Sequence, residues 1–172
     1  GAELFGVGEA DADIEIVELL SETLTKLGID EFHIDLGHMG IFRGLADQAG
    51  LDDNARADLM AAITSKSAPD VAQQCVDYAI ADSTSALLVR MADCSGEAGE
   101  LSALASDFAN GPTNVAKAYR NLAEICQRLK KRLPAARIYF DLASLSGHSY
   151  HTGLVFAVYI PGYGRAIANG GR

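Results

Sequence analysis

Residues 138–172 read IYFDLASLSGHSYHTGLVFAVYIPGYGRAIANGGR, and this stretch decides the fold. Two apolar runs, at 136–142 and 154–160, are short, rich in β-branched and aromatic residues and bounded by glycine, so they predict strands. The segment 161–164, Pro-Gly-Tyr-Gly, predicts a hairpin turn into a shorter strand at 165–169. The polar loop between the first two strands has the composition of loops that present side chains to a small ligand.

The beginning of the chain supplies a second sheet-forming end. Residues 2–6, Ala-Glu-Leu-Phe-Gly, predict a strand that ends in a glycine turn. Acidic residues open a helix over 11–28, where negative charge suits the free N–H groups of the first turn. Strict alternation of apolar and polar residues then predicts a half-buried strand at 32–37.

The middle of the chain shows only helical patterns. A turn with the sequence Asn-Gly-Pro-Thr at 110–113 is the strongest breaker, and it starts an amphipathic helix over 113–131 that Pro134 ends. The element order therefore predicts an α+β fold, with an antiparallel sheet flanked by helices. Residues 1–172 are predicted to be part of one domain, with a helical middle at 40–132 between sheet-forming ends at 1–39 and 133–172.

The composition excludes some classes of function. The formal net charge is −9, and residues 1–60 hold 14 of the 23 acidic residues. An acidic chain binds phosphate backbones poorly, so no nucleic-acid partner is expected, and the basic face of 117–131 is interpreted as a solvated helix face. The 3 cysteines show no CxxC spacing, and no signal peptide or membrane span of ~20 apolar residues is visible. These features favour a soluble cytoplasmic protein with buried free thiols.

The loop 146–151 is the first candidate site. It holds His148, Tyr150 and His151 within four residues, and alternate side chains of an extended segment share a face. These residues fit either a cup of hydrogen-bonding groups for a small polar ligand or a polar loop with a structural tyrosine. No third histidine or cysteine follows at ligand spacing, so no metal is expected.

Glu3, Gly170 and Gly171 are candidates at the two ends of the chain. Glu3 lies in an apolar segment, where a carboxylate either points to solvent, which the residues alone favour, or holds a cation over the sheet. The two glycines either let a ligand approach the backbone or form a plain turn. His38 is interpreted as a surface or turn residue.

The same segments resemble the class II histidyl-tRNA synthetases, and more closely their non-aminoacylating relative, the regulatory subunit of ATP phosphoribosyltransferase. The segment 2–6 is similar to the one after motif 2 of the synthetases, whose glutamate at the position of Glu3 contacts the α-amino group of histidine. Residues 146–151 are similar to the Arg-Gly-Leu-Asp-Tyr-Tyr element, and 170–172 to the start of Gly-Gly-Arg-Tyr-Asp. The resemblance thus implies a class II synthetase-like sheet, present as a partial core of a longer domain. The histidine-like pocket that it implies consists of Glu3, Tyr150, His151, Gly170 and Gly171.

Three positions depart from the synthetase pattern. Ser146 stands where the synthetases have an arginine that stabilises carboxylate and phosphate groups during adenylate formation. Ser149 replaces the loop aspartate, and Ala157 replaces the glutamate after Val-Phe. The loss of one such electrostatic donor costs ~3–4 kcal/mol of transition-state stabilisation. The resemblance and its departures together imply a protein that binds histidine without activating it.

The function that the resemblance implies is that of a non-catalytic regulatory subunit of ATP phosphoribosyltransferase, needed for the first step of histidine biosynthesis and its feedback control by histidine. It implies a short catalytic subunit as partner, histidine as effector, a homodimer within a hetero-oligomer, and no cofactor. Two alternatives stay open, a divergent histidyl-tRNA synthetase fragment and a synthetase-like interaction module without a ligand. Ser146 and Ala157 favour the regulator over the synthetase, and Glu3 and Tyr150 favour it over the module.

Overall fold

A computed structural model describes residues 1–145 and 151–172. Helices dominate the middle of the chain, and most of the strands lie toward its ends. In chain order the elements are α1 (Ala10–Lys26), β1 (His33–His38), α2 (Met39–Gln48), α3 (Asp53–Thr64), α4 (Ala68–Asp77), α5 (Asp82–Asp93), β2 (Ser95–Glu97), a 3₁₀ turn (Leu101–Leu104), α6 (Ala105–Phe108), α7 (Thr113–Arg132), β3 (Arg137–Asp141), β4 (Leu154–Tyr159) and β5 (Ala168–Gly171).

The strands of the described residues form one five-stranded sheet in the order β2-β3-β1-β4-β5. The pairings β1–β4, β2–β3 and β4–β5 are antiparallel, and β1–β3 is parallel. Parallel neighbours need a long crossover connection, which the helices α2 to α7 supply between β1 and β3. The α+β class and the mainly antiparallel sheet predicted from the sequence are therefore confirmed.

Helix α7 covers one face of this sheet because its apolar stripe meets the buried side of β1 and β3. Val115, Leu122 and Leu129 recur at intervals of seven residues and are fully buried, as expected for one stripe of an amphipathic helix. Ile34 on β1 and Phe140 on β3 are buried in the same core. Helix α1 packs on α7, and helices α3 to α5 form a group that contacts α2 through α5 and α6 through the ion pair of Arg90 with Asp107.

Ion pairs between α1 and α7 neutralise part of the unevenly distributed charge. Arg128 contacts Asp11, and Arg132 lies 3.0 Å from a carboxylate oxygen of Glu18. Exposed pairs of this kind contribute only about 0–1 kcal/mol each. They nevertheless explain why acids gather in the first helix and bases in the last, because the two helices are neighbours. The interpretation of the basic stretch as a purely solvated face is corrected to that extent.

The strand predicted at 2–6 is wrong. Residues 1–9 are in irregular conformation and exposed to solvent, and Phe5 is 82% exposed. A strand requires a neighbour that accepts and donates its backbone hydrogen bonds. Within the described residues, no strand pairs with this segment, so its apolar composition alone does not produce one.

Two further details of the sheet differ from the sequence prediction. The last strand lies at Ala168–Gly171 rather than at 165–169, so the turn after Tyr159 is part of a longer loop. The short edge strand Ser95–Glu97 was not predicted, because three residues carry too little alternation to be recognised. All three cysteines are buried and free, as predicted. No helix in the described ranges is long and apolar enough to cross a bilayer.

Candidate functional site

A cleft of about 840 Å³ lies between α1, the exposed segment 1–7 and the strands β4 and β5. Its apolar walls include Ile16 and Leu20 from α1, and Leu154 and Phe156 from β4. Apolar walls with a few polar groups are typical of sites for small molecules. This cleft is the candidate site because residues predicted from both ends of the chain line it.

Four of the five predicted site residues line this cleft: Glu3, His151, Gly170 and Gly171. The side chain of Glu3 is exposed, and His151 is 6% exposed. The backbone carbonyl of His151 accepts a hydrogen bond from Nη1 of Arg43 at 3.3 Å, which ties the segment after the loop to α2. The fold thus brings the two ends of the chain together at one cavity.

Tyr150, the fifth predicted residue, lies outside the described residues. Ser146, His148 and Ser149, on which the predicted ligand loop also depends, are outside them too. The prediction that Glu3 and Tyr150 face one shared concavity therefore stays a prediction. The described neighbours of this loop are the buried Leu145 before it and His151 after it.

The two glycines lie inside β5 and do not form a plain turn. A Cβ atom on Gly170 would stand 2.4 Å from Cζ of Phe156, so the ring of the paired strand lies directly over the glycine. A Cβ atom on Gly171 would stand 2.8 Å from the carbonyl oxygen of Leu154 and 3.1 Å from Cε1 of His151. The close approach that these glycines permit is thus made by the protein's own side chains and backbone at the wall of the cleft.

Asp13 and Arg172 are polar residues of the cleft that the sequence prediction missed. Nε and Nη2 of Arg172 donate to the Asp13 carboxylate at 3.0 and 3.1 Å, and Nη1 donates to the carbonyl of Gly8 at 2.9 Å. The sequence predicted for Asp13 only the role of a favourable negative charge in the first turn of a helix. The sequence did contain a sign that Asp13 is buried. Asp13 lies three and four residues before Ile16 and Val17, so it shares the apolar face of α1.

Burial raises the pKa of Asp13, while the hydrogen bonds and positive charge of Arg172 act in the opposite direction. Asp13 is 7% exposed, and a buried carboxylate is stable only when it is paired and hydrogen-bonded. The Arg172 side chain supplies that pairing. The guanidinium of Arg172 is therefore not available to an anionic ligand, because it already pairs with Asp13.

His38 is buried at the end of β1, so its interpretation as a surface or turn residue is wrong. The backbone N–H of Gly40 donates to Nδ1 at 3.1 Å, which caps helix α2, and Nε2 lies 3.0 Å from Oδ1 of Asn121 on α7. In the neutral ring the proton is then on Nε2 and is donated to Asn121. Burial, the larger effect, and the charge of Arg172 lower the pKa of His38 to about 4.

The electrostatics of the cleft favour a ligand with a cationic group. Glu3 offers a carboxylate, and Arg172 is the one Lys or Arg side chain among the described residues that line the cavity. Asp13 and Gly8 already occupy that guanidinium. The described residues also contain no group of three His, Cys, Asp or Glu side chains that could hold a metal ion. The arrangement can bind an ammonium group, but in its described part it holds no uncommitted Lys or Arg for a phosphate.

Curated relatives match this chain over its whole length. It is 38% identical over 172 residues to the ATP phosphoribosyltransferase regulatory subunit of Methylococcus capsulatus, covering 100% of this chain and 42% of that protein. It is 40% identical to the protein of the same name from Stutzerimonas stutzeri, with 100% and 43% covered. The chain thus spans less than half the length of the curated relatives it matches.

Solved structures share the fold. A protein from Bacillus halodurans described as an ATP phosphoribosyltransferase regulatory subunit/histidyl-tRNA synthetase superposes with a TM-score of 0.80 at 22% identity, covering 96% of this chain and 43% of that one. A chain of the ATP phosphoribosyl transferase (HisG:HisZ) complex from Thermotoga maritima gives 0.71 at 16% identity, covering 95% and 56%. A histidine–tRNA ligase subunit from Alicyclobacillus acidocaldarius gives 0.70 at 26% identity, covering 97% and 53%.

A family model described as histidyl-tRNA synthetase matches residues 1–172. The predicted resemblance is therefore confirmed over residues 1–172, including the helical middle. The superpositions confirm the synthetase-like fold that this resemblance implied. The chain belongs to the histidyl-tRNA synthetase family.

Proposed function

We propose that the full-length protein is the regulatory subunit of ATP phosphoribosyltransferase, which supports the first step of histidine biosynthesis in the cytoplasm and catalyses no reaction itself. The observation that carries this proposal is the 37–40% identity to relatives of that name across all 172 residues. The departures at Ser146 and Ala157 point the same way, because they remove charged groups where a synthetase has them. A divergent histidyl-tRNA synthetase is the competing function.

We propose histidine as the ligand of the cleft. Its α-ammonium group would be held by Glu3, which lies on the wall and forms no ion pair with the described residues. His151 and the apolar wall formed by Leu154 and Phe156 would surround the rest of the ligand. A carboxylate on an open wall and apolar groups beside it match an amino acid with a flat ring.

The proposed partner is a short catalytic subunit that carries the phosphoribosyl transfer. The Thermotoga maritima neighbour is a complex of two kinds of chain, HisG and HisZ. This supports the proposal that a separate chain carries the catalysis here. We propose a homodimer of this protein within such a hetero-oligomer. Feedback control would require histidine to bind differently to an active and an inactive state of that assembly.

The full-length protein is expected to co-purify with the catalytic subunit of the same organism and to raise its phosphoribosyl transfer from a low baseline. Histidine is expected to lower this activity again, with a coupling of about 1–3 kcal/mol, or roughly 5- to 150-fold in affinity. The measurement is the steady-state rate of the catalytic subunit alone, with the full-length protein, and with added histidine. A rate that the full-length protein leaves unchanged in a formed complex would contradict the proposed function.

Replacing Glu3 with Gln is expected to weaken histidine inhibition about tenfold or more, because the amide keeps the shape of the side chain but loses the charge that holds an ammonium group. Complex formation should be unchanged. The measurement is the histidine concentration for half inhibition, with Glu15→Gln as control, since Glu15 is exposed on α1 and does not line the cleft. Equal inhibition in both variants would move the effector site away from this cleft.

A further inference from the structure

We propose that Arg172 is a positioning residue that joins the walls of the cleft and holds the segment bearing Glu3 over β5. This inference rests on the proposed function only where it concerns histidine affinity. The contacts of Arg172 with Asp13, Gly8 and Gly153 are called the Arg172 clamp. Arg172 acts through these contacts and is not a catalytic residue.

The guanidinium contacts α1 and the residue that lies two positions before that helix. Nε and Nη2 face the Asp13 carboxylate near the start of α1, and Nη1 donates to the Gly8 carbonyl at 2.9 Å. Arginine is the side chain that can donate in several fixed directions at once. Removal of the planar fork would therefore release one of these two contacts even if the positive charge remained.

The segment that carries Glu3 depends on this contact. Residues 1–8 are exposed and belong to no helix or strand. Within the described part of the chain, the bond from Arg172 to Gly8 is the one hydrogen bond that residues 1–8 make. An exposed segment with so few hydrogen bonds is expected to have low local stability, so the position of Glu3 relative to the cleft depends on the clamp.

The backbone of Arg172 holds the wall that carries His151. Its carbonyl accepts hydrogen bonds from the N–H groups of Thr152 at 2.7 Å and Gly153 at 2.9 Å, and its own N–H donates to the Leu154 carbonyl at 2.9 Å. The guanidinium also lies over Gly153, where an added Cβ would stand 2.9 Å from its Cζ atom. One residue thus contacts the N-terminal segment, α1 and the segment that follows the predicted ligand loop.

Gly153 offers a way to disturb the clamp without removing any charge. The atoms that a Cβ at Gly153 would meet are the flexible end of the Arg172 side chain and not backbone. Gly153→Ala is therefore expected to leave the fold intact and to push the guanidinium away from Asp13 and Gly8. Arg172→Lys disturbs the same contacts by a different route, since the charge stays but the fork is lost.

The first test measures the clamp in the absence of histidine, on the full-length protein. A nitroxide label is attached to Val7→Cys, because Val7 is 48% exposed while the native cysteines of this chain are buried. Arg172→Lys and Gly153→Ala are each expected to increase the mobility of the label about twofold, as read from the spectral line shape. Arg165→Gln is the control, since Arg165 is exposed on the loop before β5 and makes none of the clamp contacts.

The second test measures histidine binding by calorimetry on the full-length protein, Arg172→Lys and Gly153→Ala without the label, because Val7 lines the cleft. Both clamp variants are expected to bind histidine about tenfold more weakly, while the unfolding midpoint of Gly153→Ala stays close to that of the unmodified protein. If the clamp had only a structural role, the substitutions would lower the unfolding midpoint. The folded protein would still bind histidine with unchanged affinity.

The two tests fail in different ways. Label mobility that neither variant changes would overturn the clamp, whatever histidine does. Increased mobility with unchanged histidine affinity would overturn the positioning role. Increased mobility in a protein that binds no histidine before substitution would support the clamp and refute histidine as the ligand in the proposed function.

Discussion

The full-length protein is expected to show no histidine-dependent exchange of pyrophosphate into ATP. Adenylate formation develops negative charge on the carboxylate and phosphate groups, and its transition state needs fixed donors near that charge. The resemblance to the synthetases puts their arginine at the position that is Ser146 here. In the described part of the cleft, the guanidinium of Arg172 is engaged by Asp13 and Gly8. One missing donor alone corresponds to a loss of about 10²–10³ in rate.

The measurement compares this protein with an intact histidyl-tRNA synthetase at equal concentration, with and without histidine. A binding assay for histidine on the same preparation separates lost chemistry from lost folding. Exchange that depends on histidine and rises with protein concentration would show that the competing synthetase function is correct, and that the proposed regulatory role is wrong.

Stability is expected to fall by about 3 kcal/mol between pH 7 and pH 4 through His38 alone. Burial lowers the pKa of His38 from 6.5 to about 4 in the folded protein. Because the folded-state pKa lies below the unfolded value, the contribution is fully present above pH 6.5. It is lost as the pH falls toward 4, since the unfolded chain takes up the proton first. Each unit of difference between the folded and unfolded pKa values corresponds to roughly 1.4 kcal/mol of stability.

The structural consequence is a broken helix cap. Protonation places a hydrogen on Nδ1, which then can no longer accept from the N–H of Gly40. The start of α2 lies beside the Arg172 clamp, because the N–H of Met39 donates to the carbonyl of Gly153.

The measurement is the free energy of unfolding from urea titrations at pH 7, 5 and 4, compared with His38→Asn. Asparagine can cap the helix through its side-chain oxygen and does not titrate. Burial raises the pKa values of Asp13 and Asp35, which opposes the histidine effect as the pH falls. These contributions are common to both proteins and cancel in the difference. The same pH dependence in both proteins would contradict the role given to His38.

Elements with a clear local pattern were predictable from the sequence. The strands β1, β3 and β4 and the helices α1 and α7 lie within a few residues of the predicted ranges, because hydrophobic periodicity and helix breakers act over about 5 to 20 residues. The strand predicted at 2–6 failed for the opposite reason. A strand is defined by hydrogen bonds to another strand, and the pattern of one segment does not say whether a neighbour exists.

The candidate site was predictable in its residue types and not in its contacts. Position and composition made Glu3, His151 and the paired glycines candidates, the resemblance to the synthetases grouped them into one pocket, and the fold brings them to one cleft. The pair of Asp13 and Arg172 was missed because 159 residues separate the two side chains. Local pattern was enough for the helices, most strands and their apolar faces, since backbone geometry repeats along the chain. Contacts between distant residues set the neutral state of His38, the pairing of Asp13 and the ring over Gly170, because burial and charge pairing depend on which surfaces the folded chain brings together.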